Sequence, residues 1–257
     1  MRLSELVDEL RNNILNDRGT STGANDKLWS DETLVRYIND SQRRFAKRGL
    51  VIRDGTTAEV CNVTVVAGQT YYILSPAVLA VVSARISDSA ADLTRFGHSE
   101  VAAFSSPSSL LWDPGTINWP EGKPLSFSTD EYLSEDDDGA LATVTMRVYP
   151  TPRAADAGTI LKLRVIRMPL DDLTTSNLSA VPEIPVDHHL EMLDYAAYLA
   201  LRILDQDAGN VARSEGFRLS FERSVTEARN LILKKMFVPQ QWGFGRGGWS
   251  WGASDGR

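Results

Sequence analysis

One cysteine stands in 257 residues. Cys61 therefore has no partner for an internal disulfide, and a reducing compartment is the expected setting. The sequons at Asn62 and Asn177 are then expected to be chance matches. Histidine is also scarce, with three residues in the chain. His188 and His189 follow Asp187, but neighbouring helical side chains point about 100° apart and do not converge on one ion. They are expected to be solvated residues of a helix first turn. Long apolar runs are missing too. None approaches the roughly 18 residues of a membrane span, so no membrane contact is expected. The opening MRLSELVDELRNNIL has acids every few residues and no apolar h-region, unlike a signal peptide.

Catalytic motifs are scarce too. No H-E-x-x-H or P-loop occurs, and the two stretches with G-x-S-x-G spacing, Gly19–Gly23 and Gly248–Gly252, lie in a polar loop and in the glycine-rich closing segment rather than between a predicted strand and helix. The run from Gly243 to Gly248 has G-x-G-x-x-G spacing, but Pro239 precedes it and no ribose-binding acid follows. Glu135, Asp136, Asp137 and Asp138 lack the alternating ligands of a calcium loop and read as a solvated loop between strands. Cys61 falls in a predicted strand without basic neighbours, which suits core rather than nucleophile. The sequence thus predicts no catalytic residue, no metal and no cofactor, and the protein is not expected to be an enzyme.

Charge is present but unevenly placed. Between Asp54 and Leu141 there are thirteen acids against three Lys/Arg, while from Val211 onward eight Lys/Arg face four acids. The acidic middle and basic end will prefer different neighbours.

Helical periodicity marks both ends of the chain. Leu3, Leu6, Val7, Leu10 and Ile14 form one amphipathic face. In residues 28–49, Ser30 is a candidate N-cap, with Trp29 and Leu34 at the hydrophobic-staple positions. Asp31 and Glu32 suit the positive helix end; Arg43, Arg44, Lys47 and Arg48 suit the negative one. Gly49 is placed to take the left-handed C′ conformation. Leu34, Tyr37, Ile38 and Phe45 supply the inner face.

From about residue 56 the period becomes two. TAEVCNVTVV, QTYYIL, VLAVVSARI, LATVTMRVYP and GTILKLRVIRMP read as strands, and the last has a wet face carrying Lys162, Arg164 and Arg167. Residues 91–130 read as short helix or loop, then a strand near Leu125–Thr129. After Pro185 the helical period returns. Val186, Leu190, Leu193, Ala197, Leu201 and Leu204 form a stripe that Met192, Tyr195 and Leu199 widen. Gly209 and Asn210 break it, and a final helix carries Phe217, Phe221, Ala228, Leu231 and Ile232 up to Pro239.

The closing segment QQWGFGRGGWSWGASDGR holds three of the six tryptophans. Disordered chain rarely keeps aromatics, whereas tryptophan and arginine are common interface anchors. Trp242, Phe244, Arg246, Trp249 and Trp251 therefore read as the anchors of an arm that orders on a partner. Its glycines let the backbone follow that partner's surface. The alternative is nucleic-acid binding through the single RGG and its aromatics, against which the net charge of −7 argues.

The whole layout resembles the head-to-tail adaptor (head-completion) proteins of tailed bacteriophages, in their larger podovirus-type form. LWSDETLVRYINDSQRRFAKRG looks like their early helix. YYILSPAVLAVVSARI with VTMRVYPTPRAADAGTILKLRVIRMPL looks like their β insertion, and VPEIPVDHHLEMLDYAAYLALRILDQD with FRLSFERSVTEARNLILKK like their closing helix pair. The resemblance implies an α+β fold. A four-helix core (1–53 and 171–238) would carry an inserted antiparallel β-sandwich or barrel-like domain (54–170) and an extended C-terminal arm (239–257). It implies a ring of copies, twelve-fold in expectation, beneath the portal of a virion. The portal would lie above it and a tail or nozzle protein below. Genomic DNA would pass through without sequence-specific binding. Glu135–Asp138 would then line the channel or rim and repel phosphates. A second-layer connector or tail-tube component is the alternative within that resemblance.

Overall fold

The computed structural model describes residues 1–17, 27–95, 121–130, 144–202 and 209–236. The first helix, α1, spans Leu3–Asp8 and runs on as a π-helical stretch, Glu9–Leu15. Leu3, Leu6, Val7 and Leu10 are buried as their spacing predicts. In the wider π winding Leu15 follows Leu10 inward, and Ile14 is only partly covered. The first N–H groups of α1 find acceptors outside the helix, from Leu3 to the Ala180 carbonyl (2.8 Å) and from Ser4 to that of Leu178 (3.0 Å).

Helix α2 spans Asp31–Gly49. Ser30 caps it, its Oγ accepting the Thr33 N–H at 3.2 Å, and Trp29 packs on the core beside it. The other end departs from expectation. Leu50, not Gly49, takes the left-handed conformation (φ 57°) and donates its N–H to the Ala46 carbonyl. Gly49 remains helical. A Cβ there would lie 3.2 Å from Val51 Cγ1, so the glycine serves close approach rather than turning.

The predicted strand TAEVCNVTVV begins instead as helix α3, Ala58–Cys61. Asp54 explains it: its carboxylate accepts the N–H groups of Thr56 (2.8 Å) and Thr57 (3.1 Å) and both threonine hydroxyls. That local bonding turns the chain before a strand can start. Cys61 is buried at the end of this helix.

Among the described residues eight strands follow or flank it: β1 Arg53–Asp54, β2 Asn62–Thr64, β3 Tyr71–Ile73, β4 Val78–Ile86, β5 Thr94–Arg95, β6 Ser126–Asp130, β7 Thr145–Tyr149 and β8 Ile160–Arg167. They form two four-stranded sheets. In the first, β8 has β4 on one edge and β1 and β2 on the other, all antiparallel. The second runs β3-β7-β6-β5, and its β5–β6 pair is parallel, where an antiparallel domain was expected. Neither sheet closes into a barrel. The short polar link between β7 and β8 switches the chain from one sheet to the other. Both sheets bury side chains in one cluster that includes Tyr72, Phe127, Met146, Val81 and Leu163. Lys162 and Arg164 are exposed as expected, but Arg167 is buried.

Helix α4 spans His189–Arg202, after a short 3-10 turn at Val186–His188; α5 spans Gly209–Met236. Gly209 and Asn210 thus open a helix rather than only breaking one. The inner face of α4 is rotated from the predicted stripe. Val186 and Leu190 are exposed, whereas His189, Met192, Leu193, Ala196, Ala197, Ala200 and Leu201 are buried. The small alanines let α2 and α5 approach closely. On α5, Phe221, Val225 and Ala228 are buried and Leu231 is exposed. These helices share a second cluster with α1, α2, Val51, Ile52, Leu173 and Ile184. The architecture is α+β.

Candidate docking surface

The chain passes between its two hydrophobic clusters at Ile52–Asp54 and again at Val165–Met168. These passages lie side by side as the β1–β8 pair, Arg53 opposite Ile166, and Arg167 donates its N–H to the Ile52 carbonyl at 3.1 Å. Arg167 is the bolt of this neck. Its Nε donates to Asp54 Oδ2 (2.7 Å), and its Nη1 donates to Glu183 Oε2 and to the Met168 carbonyl (3.0 Å). Glu183 in turn accepts the N–H groups of Leu170 and Asp171. Burial works against ionisation of Asp54. The Thr57 hydroxyl, the Thr56 and Thr57 N–H groups and Arg167 outweigh it and hold the carboxyl well below the usual range. Burial pushes the Cys61 thiol up to about 11, which leaves it a poor nucleophile.

The connector 168–185 then runs along one flank of α2. Asn39 fixes it in both directions, Nδ2 donating to the Leu173 carbonyl (2.8 Å) and Oδ1 accepting the Leu173 N–H (2.9 Å). Arg43 pairs with Asp172 beside it. Between helix and connector lies a cleft of about 390 Å³, lined by Gln42, Asp171, Asp172, Asn177 and Glu183 among others. Gln42 is 2% exposed, and its Oε1 has no hydrogen-bond donor among the described residues. A buried acceptor without a donor is costly.

The opposite flank of α2 meets α4 and α5. Ser41 donates to the Met192 carbonyl, Arg44 donates to Tyr195 Oη (2.8 Å), and Arg48 pairs with both carboxylate oxygens of Glu222. That pairing holds Glu222 below its usual pKa. Phe45 packs on Phe221 edge-on at 5.7 Å. Arg43, Arg44 and Lys47 line a shallow basic cleft with Tyr195 and Leu199.

His189 is buried rather than solvated. Its Nε2 pairs with the Ile184 carbonyl (2.8 Å) and its Nδ1 with the Met1 amino group (2.9 Å). Burial lowers its pKa. Its neighbour His188 instead contacts Glu191 and Phe45, so the two rings do diverge. Among the described residues no group of three or more His, Cys, Asp or Glu side chains is arranged to hold a metal ion, and no helix is long and apolar enough to cross a membrane. Trp242, Phe244, Arg246, Trp249 and Trp251 lie outside the described residues, as do Glu135, Asp136, Asp137 and Asp138.

Three of these groups carry little sequence signal. Gln42 does carry one: it lies four residues after Ile38 and three before Phe45, inside the buried arc of α2, where a polar side chain needs a reason. Arg167 was disguised by its alternation with Lys162 and Arg164. Asp54 and Glu183 become its partners only through the topology.

The family model described as SU10 adaptor protein matches residues 1–236 of this sequence. No curated protein matches the chain.

Proposed function

The chain belongs to the SU10 adaptor protein family, a family of structural phage proteins rather than enzymes, and from that premise we propose that it forms a ring between the portal and the tail. The helical cluster makes the contacts between copies, the β part faces the tail or the outer rim, and the genome passes through the channel. Trp242, Phe244, Arg246, Trp249 and Trp251 dock on the portal. The acids Glu135–Asp138 face the channel or rim, where they keep DNA phosphates from sticking.

One observation carries the docking arm. The family match ends at residue 236, and three of the six tryptophans follow it within a glycine-rich segment. Each fully buried tryptophan contributes on the order of 2–3 kcal/mol, against backbone ordering of roughly 1–2 kcal/mol per residue. One arm therefore binds weakly. Repetition around a ring multiplies the attachment when all copies engage together.

Deleting residues 240–257 tests this. The truncated chain should retain the far-UV spectrum and unfolding cooperativity of its helices and sheets but fail to co-sediment with assembled portal. Normal attachment of the truncated chain to portal would remove the arm from the mechanism.

A further inference from the structure

The cleft between α2 and the connector is built to accept hydrogen bonds and is short of a donor. Gln42 Oε1 is buried there without a partner among the described residues, and the Asp171 carboxylate on the connector side makes no ion pair among them. Glu183 and Asp172 add negative charge, each already shared with one arginine. The complementary group is a cationic side chain with several N–H donors.

Such a group stands on α5. Phe221 contacts Tyr195 of α4 at 5.0 Å, and Arg218 senses Tyr198 while Asp194 bonds to Ser220, so the two helices run antiparallel. With equal rise per residue, Glu227 is level with His189, the first residue of α4. α5 has 28 residues against 14 in α4, so it is about twice as long. Its last two turns continue past the end of α4. They present Lys234 one turn on from the exposed Leu231 and on the same face, while Arg229 points to nearly the opposite side. Neither cation has an ion-pair partner among the described residues.

The two features lie on opposite sides of α2. The connector meets α2 at Arg43, and α5 meets it at Arg48, five residues on and about 140° round the helix. Complementary patches on opposite flanks of one chain make a head-to-tail contact, the kind that generates rings. Resting on the ring proposed above, we infer that the occupant of the Gln42 cleft is a second copy of this chain. The end of α5 from one copy lays Leu231 against the cleft mouth, and Lys234 on the same face donates to Gln42 Oε1 and Asp171. The contact repeats from copy to copy.

Paired cysteines test it in the full-length chain. The variant Asp171→Cys with Leu231→Cys, mildly oxidised at high protein concentration, should give a ladder of dimers, trimers and higher multimers on non-reducing gels. Each single variant should give dimers at most, and the buried Cys61 does not compete. In the same chain otherwise unchanged, Asp171→Lys and Lys234→Glu should each weaken self-association at least tenfold by sedimentation, and the two variants carried together should restore it. Circular dichroism confirms that each variant is folded; a misfolded one is replaced by Asp171→Asn or Lys234→Gln, for which weaker association is again expected. A ladder and charge-swap rescue support the contact. Cross-linking that stops at dimers, or association indifferent to both charge reversals, overturns it. Rings seen on portal with either reversal alone would overturn this interface while leaving the ring itself standing. Absence of rings from the unaltered chain on portal would remove the ring, and with it this contact.

Discussion

Arg167 Nε stands 2.7 Å from Asp54 Oδ2, although 113 residues separate the two in sequence. The same guanidinium also bonds to Glu183. One cation thus closes the neck through which the chain leaves the helical cluster and returns to it.

Arg167→Met should therefore be severe. It leaves two largely buried carboxylates without their cation, a change that typically costs about 3–5 kcal/mol. Denaturant titration of the variant at neutral pH measures it. A loss below about 1 kcal/mol would show that water screens the neck.

The Asp54 carboxylate, held by the Thr57 hydroxyl and the Thr56 and Thr57 N–H groups as well as by Arg167, sets a pH dependence. The folded-state pKa of Asp54 lies below its unfolded value. Its contribution is then complete above the unfolded pKa, near 4, and fades as pH falls towards the folded value. Asp54→Asn should be less stable than the unaltered chain at pH 6, and the difference should narrow steadily below pH 4. A gap that stays constant down to pH 2 would mean Asp54 acts through shape alone.

His189 acts in the window above that. Its folded pKa is depressed by burial, so the unfolded chain binds the proton more readily. Its stabilising neutral form is complete above about pH 6.5 and is lost as pH falls through the folded value. Replacing His189 with Gln should flatten the stability profile between pH 7 and 5, whatever it does to stability at pH 7. Denaturant midpoints at the two pH values are the readout.

Gln42→Leu separates folding from assembly. Removing a buried acceptor that lacks a donor should stabilise the isolated chain, by about 1 kcal/mol or somewhat more. The same change should weaken self-association. Thermal unfolding at low concentration and sedimentation at high concentration measure the two effects on one variant.

Ser30→Ala and Phe45→Ala calibrate the helical cluster. Losing the Ser30 cap should cost about 1 kcal/mol. Truncating the fully buried Phe45, which touches Phe221 and His188, should cost about 3–5 kcal/mol. If Phe45→Ala proves as mild as Ser30→Ala, the cluster has closed over the vacated space.

What the sequence disclosed was local. Ser30, the acids after it and the basic end of α2 are fixed by groups within a turn of each other, so the helix could be read in place. The burial of Leu3, Leu6, Val7 and Leu10 follows from spacing alone. Periodicity gives an arc, however, and not the phase that the neighbours select. Val186 and Leu190 continued the α4 stripe by hydropathy, yet the alanines and His189 form the packed side because α2 and α5 come close there. At the end of α2, a residue-type preference pointed to Gly49. Gly49 instead stays helical, its missing Cβ leaving room for Val51 and Phe45, and Leu50 takes the left-handed turn. Strand pairing was hidden for a related reason: β7 and β8 are neighbours in sequence but belong to different sheets. The Gln42 cleft needed the connector to be laid beside α2, which the Asn39–Leu173 bonds and the Arg43–Asp172 pair reveal.

The side-by-side passages at Ile52 and Arg167 have a consequence for descent. Both ends of the intervening segment, more than a hundred residues long, meet within one hydrogen bond. Insertions, deletions or wholesale exchange between them could occur without moving either flanking helical stretch. The neck is therefore a natural seam for recombination, and relatives of this chain should differ most in length and sequence between Asp54 and Val165.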